Sequence, residues 1–172
     1  MAIFVIILEI KEKVIMKKFL LALAMIFTIT LCPAFADDKQ EALDFFNKYV
    51  EAANTYNPII TTLYSPNAKI IRQVIKPDGT TANAYTDTAT YIKQMKLGQA
   101  GAKLRHYKNT YTDISAEKVA TGYKVSSLRQ PSGEDYKLKT YMIVTKQADG
   151  KWLITEEMMQ TKVQALLKYA EK

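Results

Sequence analysis

The sequence predicts an α+β fold, a cone-shaped, strongly bent antiparallel sheet made of a hairpin and a four-strand meander wrapped around amino-terminal helices. Three observations carry this. Apolar residues recur at helical spacing from residue 42, the pattern turns β-rich from residue 68, and turn-forming clusters then divide the chain into segments of strand length. Helices followed by a run of strands is an α+β order. At 172 residues, 48% hydrophobic and 24% charged, the chain fits one globular domain. One His and one Cys cannot build a His/Cys zinc site or a disulfide framework within a single chain.

Residues 1–36 read as a secretory signal. Lys17 and Lys18 follow Met16, residues 19–31 carry no charge, and Ala34-Phe35-Ala36 offers the small-x-small pattern of a cleavage site after Ala36. The uncharged run is 13 residues, short of the ~20 needed to span a bilayer, and Pro33 breaks it. Glu9 and Glu12 precede the Lys pair, which no export signal requires, so Met16 is the better start and residues 1–15 an over-called one. Leu31 sits before Cys32 where a lipidation signal wants a small residue, so the expectation is a soluble periplasmic or secreted protein that meets the membrane only through its leader. The expected mature domain, residues 37–172, has no cysteine and holds 20 basic against 15 acidic residues. That surplus suits a solvated surface, and contact with anionic lipid or cell-wall polymer is its other reading.

Along the mature chain, Asp37 or Asp38 caps a helix whose apolar stripe is Ala42, Phe45, Phe46, Tyr49, Val50 and Ala53. Asn57-Pro58 opens a short second helix through Ile59, Ile60, Leu63 and Tyr64, ended by Ser65-Pro66-Asn67. Ile70, Ile71, Val74 and Ile75 form a strand, and Pro77-Asp78-Gly79 turns it into a partner over residues 81–85. Asp87 or Thr88 starts a third helix with Tyr91, Ile92 and Met95 on one face and Gly98 at its end. Four strands follow near residues 104–114, 119–128, 136–145 and 152–159, separated at residues 115–118, 131–133 and 149–150. A last helix from about Thr161 aligns Val163, Leu166, Leu167 and Ala170.

Three stretches, Phe45-Phe46-Asn47-Lys48-Tyr49-Val50-Glu51-Ala52-Ala53-Asn54, Leu63-Tyr64-Ser65-Pro66-Asn67-Ala68 and Asp149-Gly150-Lys151-Trp152-Leu153-Ile154, resemble the nuclear transport factor 2-like superfamily, in particular its ketosteroid isomerase-like and polyketide cyclase-like members. The resemblance covers residues 40–160 and implies the cone with an interior cavity. It also implies, for the isomerase members, a tyrosine on the first helix and acids on the first and a later strand. Tyr49 falls on the tyrosine position, but the acidic positions fall near Arg72 or Gln73 and near Met142. Proton abstraction beside a carbonyl needs a base and an oxyanion donor. The expectation is therefore an interior without the acids that move protons.

Other chemistry finds little support. His106 and Asp113, seven residues apart on one expected strand, lie ~23 Å from each other and form no local dyad. Adjacent Glu156 and Glu157 on a strand point to opposite faces, so they are no carboxylate pair, although one of them can face the cavity. No Gly-rich phosphate loop, G-x-S-x-G or metal-ligand cluster occurs. Tyr107 and Tyr111 among Arg105, Lys108 and Asn109 suggest a nucleic-acid platform only weakly in an exported protein, so no nucleic acid, metal or cofactor is expected. The mature part holds 14 aromatics, 11 of them tyrosine, which suits cavity walls and wet interfaces as well as core edges. The expected ligand-lining residues are Phe46, Tyr49, Arg72, Tyr91, Met142, Trp152 and Met158. The leading expectation is an exported, non-catalytic domain binding a small apolar or amphipathic molecule. The alternatives are an interaction module that dimerises or docks on an envelope complex through its outer sheet face, and an isomerase-type or cyclase-type enzyme using Tyr49 with His106 or a pocket glutamate.

Overall fold

The computed structural model describes the backbone of residues 33–170 and the side chains of residues 37–170. The expected export leader falls almost wholly outside the described residues. Contacts divide the chain into residues 1–38 and 39–172, and the second unit holds the whole sheet. Among the described residues no helix is long and apolar enough to cross a membrane.

Helix α1 (Pro33–Asn54) is followed by a 3-10 turn (Pro58–Thr62), strands β1 (Tyr64–Ile75) and β2 (Thr81–Thr86), helix α2 (Thr88–Leu104), and strands β3 (Thr110–Val119), β4 (Gly122–Gln130), β5 (Leu138–Lys146) and β6 (Trp152–Thr161). A second 3-10 turn, Gln164–Tyr169, ends the described part. The six strands form one sheet in the order β2-β1-β6-β5-β4-β3. The hairpin and meander occur as expected, but the sheet is mixed, because β1 and β6 pair parallel where hairpin and meander join. An all-antiparallel sheet is thus corrected at one ladder.

The sheet curls around α1. In a flat sheet β1 and β3, four ladder steps apart, would be separated by about 19 Å at ~4.8 Å per step. Yet on successive turns of α1 the Phe46 ring meets Tyr111 of β3 edge-on at 5.4 Å, and the Tyr49 ring meets Tyr64 of β1 at 6.4 Å. Strict alternation on β4 and β5 turns Tyr123, Val125, Met142 and Val144 inward onto the helix stripe Ala42, Phe45, Phe46 and Tyr49.

Several local expectations are corrected. Tyr64 belongs to β1, because its register with Ile154 in the parallel ladder holds it extended. Helix α2 passes Gly98 and runs to Leu104, since neither Gly98 nor Gly101 takes a positive φ that would stop it. His106 consequently lies in the turn after α2 at φ 50, exposed, and not on a strand. Residues 115–118 stay in β3, and the turn comes after Val119. The expected last helix starts later and is a six-residue 3-10 helix, Gln164–Tyr169, in place of an α-helix from Thr161. β6 extends through Thr161, and after the second 3-10 turn Ala170 bridges Ala84.

Candidate functional site

At the centre of the curled sheet is a carboxylate. Glu157 of β6 is 0% exposed, and a charge so placed must be paired and hydrogen-bonded. Its Oε1 accepts from Arg72 Nη1 at 2.8 Å and from the Tyr91 hydroxyl at 3.3 Å. Its Oε2 accepts from the Tyr64 hydroxyl in a short bond and from the Tyr49 hydroxyl at 3.4 Å. The four partners come from α1, β1 and α2. Arg72 also donates from Nη1 to the Ile71 carbonyl, and its guanidinium lies over the Tyr91 ring at 4.7 Å.

A β-bulge selects this glutamate. In the ladder with β5, Val144 pairs Ile154 and Ile143 pairs Glu156, leaving Thr155 as the extra residue. Regular alternation from buried Ile154 would turn Glu156 inward. The bulge reverses the phase, so Glu157 faces the core beside Met142 while Glu156 accepts from Tyr141 at 2.6 Å. The expected acid-free interior is therefore wrong. The position aligned with a family acid is Met142, and the acid sits on the neighbouring strand as its register partner. The sequence allowed one of the adjacent glutamates to face the cavity, and the bulge decides that Glu157 does.

The cluster's electrostatics are mutually reinforcing. Burial, and then the negative charge of Glu157, push the Tyr49 and Tyr64 hydroxyls well above their ordinary pKa. Burial pushes Tyr91 up to about 12, against the pull of Arg72. Burial also works against the Arg72 charge, but the surrounding tyrosines and Glu157 outweigh it and hold the guanidinium protonated. The tyrosines thus remain neutral donors to a carboxylate paired with a fixed cation.

Arg72 and Tyr91 also line a pocket of about 380 Å³, together with Ile70, Tyr85, Thr86, Asp87, Thr90, Gln94, Leu166 and Tyr169. Asp87 at its wall caps α2, accepting from the Thr90 amide at 2.8 Å. The second 3-10 turn supplies Leu166 and Tyr169 because the chain returns to β2 at Ala170. Only the Arg72 side chain, 18% exposed, links this pocket to the buried carboxylate as an ion-pair partner among the described residues.

Of the residues expected from the sequence, Tyr49, Arg72 and Tyr91 converge on Glu157, and Phe46 and Met142 pack in the same interior. Trp152 belongs to a different wall, where its ring meets Tyr123 at 6.2 Å and its Nε1–H donates to Glu41 at 2.8 Å. Met158 lies on the opposite sheet face beside Tyr141 and Lys124. Tyr49 is 4% exposed and its hydroxyl serves Glu157. Exposed His106 takes no part in the cluster. Tyr64 and Glu157 are the site residues that the sequence alone did not select. Among the described residues no group of His, Cys, Asp and Glu could hold a metal.

No protein-family model and no curated protein matches the chain. Solved structures do. A nuclear transport factor 2-like protein of unknown function from Pseudomonas putida is 10% identical, with TM-score 0.57 over 73% of this chain and 87% of that one. A provisionally assigned ketosteroid isomerase from Shewanella frigidimarina is 19% identical, with TM-score 0.50 over 67% and 91%. A provisionally assigned dehydratase of the nuclear transport factor 2-like family from Streptomyces avermitilis is 11% identical, with TM-score 0.54 over 74% and 98%. Helices followed by an open, curled six-strand sheet give this chain the nuclear transport factor 2-like fold.

Proposed function

We propose that the protein is an exported binding domain that receives a small, neutral, amphipathic molecule in the Arg72–Tyr91 pocket and performs no chemistry on it. The observation that carries this reading is the ion pair of Arg72 with fully buried Glu157. It neutralises the guanidinium, and Asp87 adds negative charge to the wall, so an anion gains little there. The Arg72 bonds to Glu157 and to the Ile71 carbonyl both leave from Nη1, so the rest of the donor fork suits a carbonyl or hydroxyl oxygen. Ile70, Leu166 and the rings of Tyr85, Tyr91 and Tyr169 suit the apolar body.

Calorimetric titration of the purified protein with neutral ketones and lactones, beside carboxylates of matched shape, tests the reading. Saturable binding of a neutral compound that Leu166→Trp, which narrows the pocket without touching the Arg72–Glu157 pair, weakens is expected. Binding of the carboxylates alone, or of nothing in a broad panel, would refute it. Export rests on the leader pattern of residues 1–36. Amino-terminal sequencing of protein from a periplasmic or culture fraction should read from Asp37, and an intact leader on cytoplasmic protein would refute export.

A second reading, proton-transfer catalysis, is favoured by the carboxylate and three tyrosine hydroxyls gathered behind the pocket. Against it, Glu157 is closed off and already holds four donors, so it reaches a carbon acid only if Arg72 and a tyrosine release it. Deuterium uptake from solvent into a bound ketone, abolished by Glu157→Gln, would establish this second reading over the first.

A further inference from the structure

Helix α2 is apolar on two faces. Tyr91 and Met95 pack against the core, and a helix anchored by one such stripe ordinarily turns a polar face to water. Here Leu97 is 74% and Leu104 83% exposed, more than any other large apolar side chain among the described residues. At about 100° per residue, Leu97, Ala100 and Leu104 fall within about 60° of arc, opposite Tyr91 and Met95. Exposed apolar residues scattered singly are ordinary. These are aligned, about 10 Å apart along the helix.

The charge around the stripe has one sign. Residues 88–112 include no acidic residue, although 17 of the chain's 172 residues are acidic. Lys93, Lys96, Lys103, Arg105 and Lys108 in the same stretch are all exposed, and none has an ion pair among the described residues. Lys96 and Lys103, seven residues apart, run along one side of the stripe. On the other side Arg105 folds back over Gly101, where a Cβ would meet its guanidinium at 3.6 Å. The leucines thus lie between two rows of cations.

We propose that this face of α2 docks flat on a bilayer rich in anionic phospholipid, with Leu97 and Leu104 entering the acyl boundary and the basic side chains meeting the phosphate groups. This goes beyond the expected membrane contact through the leader alone, and it does not involve the Arg72–Tyr91 pocket. Interfacial helices bind by buried apolar area together with attraction to anionic headgroups. The lysine stems beside the leucines can lie along the apolar layer while their ammonium groups stay at headgroup level. A soluble polyanion would engage the cations but leave both leucines in water, and a second copy of the chain would set cation against cation.

Flotation with vesicles of phosphatidylcholine and phosphatidylglycerol, beside vesicles of phosphatidylcholine alone, tests this on the protein as the cell produces it. Any contribution of residues 1–36 is common to every variant. Binding to the anionic vesicles is expected. Leu97→Ser with Leu104→Ser should weaken it at least about tenfold, and Lys96→Gln with Lys103→Gln about 25-fold, from about fivefold per lysine. All four side chains are exposed, so both variants should melt as the parent does. Leu97→Trp should add emission that brominated lipid chains quench on anionic vesicles. Absence of binding, equal binding to both vesicle types, or unchanged binding in the leucine variant would overturn the proposal. Heparin binding as tight as vesicle binding and indifferent to the leucine change would assign the face to a soluble polyanion. A dimer in sedimentation that the leucine change dissociates would assign it to a second copy, and either result overturns the proposal as well. Should the leucine variant not fold, quenching in Leu97→Trp decides.

Discussion

Removing the charge of Glu157 is the sharpest test of the buried cluster. Glu157→Gln keeps an oxygen for the tyrosine hydroxyls but strands the Arg72 cation. Breaking a buried pair from one side costs roughly 3–5 kcal/mol. Arg72 is 18% exposed and retains the Ile71 carbonyl and the Tyr91 ring, so about 3 kcal/mol is expected. Arg72→Met strands the carboxylate instead. That group is 0% exposed, which places its loss towards about 5 kcal/mol. In the double variant Glu157→Gln, Arg72→Met neither charge remains, and two apposed neutral groups should cost much less than the sum. The cycle should therefore show a coupling of at least about 2 kcal/mol. Urea unfolding at pH 7, followed by Trp152 fluorescence and circular dichroism, measures all four proteins. Additivity within about 0.5 kcal/mol would show that the two residues do not act as a pair and would refute the reasoning.

The same cluster predicts an alkaline limb. Tyr49, Tyr64 and Tyr91 hold their protons more tightly in the folded state. Above pH 10 the unfolded chain therefore releases protons that the native state keeps, and stability falls. The slope approaches about 1.4 kcal/mol per pH unit for each tyrosine, or about 4 kcal/mol per unit for three. Denaturant midpoints between pH 9 and 11.5 should show this, with a shallower limb in Tyr64→Phe, and a flat profile would contradict it. Gly122→Ala should prevent folding or cost more than about 3 kcal/mol, since its Cβ would lie 2.0 Å from the Val144 carbonyl oxygen in the central sheet. Soluble expression and melting decide that. Asp87 caps α2, and its hydrogen bonds to Thr90 hold its carboxyl below the usual range. Its contribution is present above the ordinary carboxylate pKa and disappears as pH falls through the lowered value. Asp87→Ala should thus lower the midpoint at pH 7 and narrow that gap at pH 2.5.

Periodicity and turn chemistry alone determined much of this fold. The α1 stripe, the hairpin at Pro77-Asp78-Gly79 and the meander depend on neighbours a few residues apart, and so were legible in order. The resemblance led to Tyr49, and an aromatic-rich mature chain suited a tyrosine-lined interior. Tertiary structure decided which side chains meet. Glu157 lies 108 residues beyond Tyr49 and 93 beyond Tyr64, and its inward orientation depends on the single extra residue Thr155 in the ladder with β5. One residue of register reverses every face beyond it, and pattern within a lone strand contains no record of its partner's count. The parallel β1–β6 ladder and the bridge from Ala170 to Ala84 that follows the shortened last helix are non-local in the same way, because the free energy that selects them comes from contacts formed only once the sheet has curled.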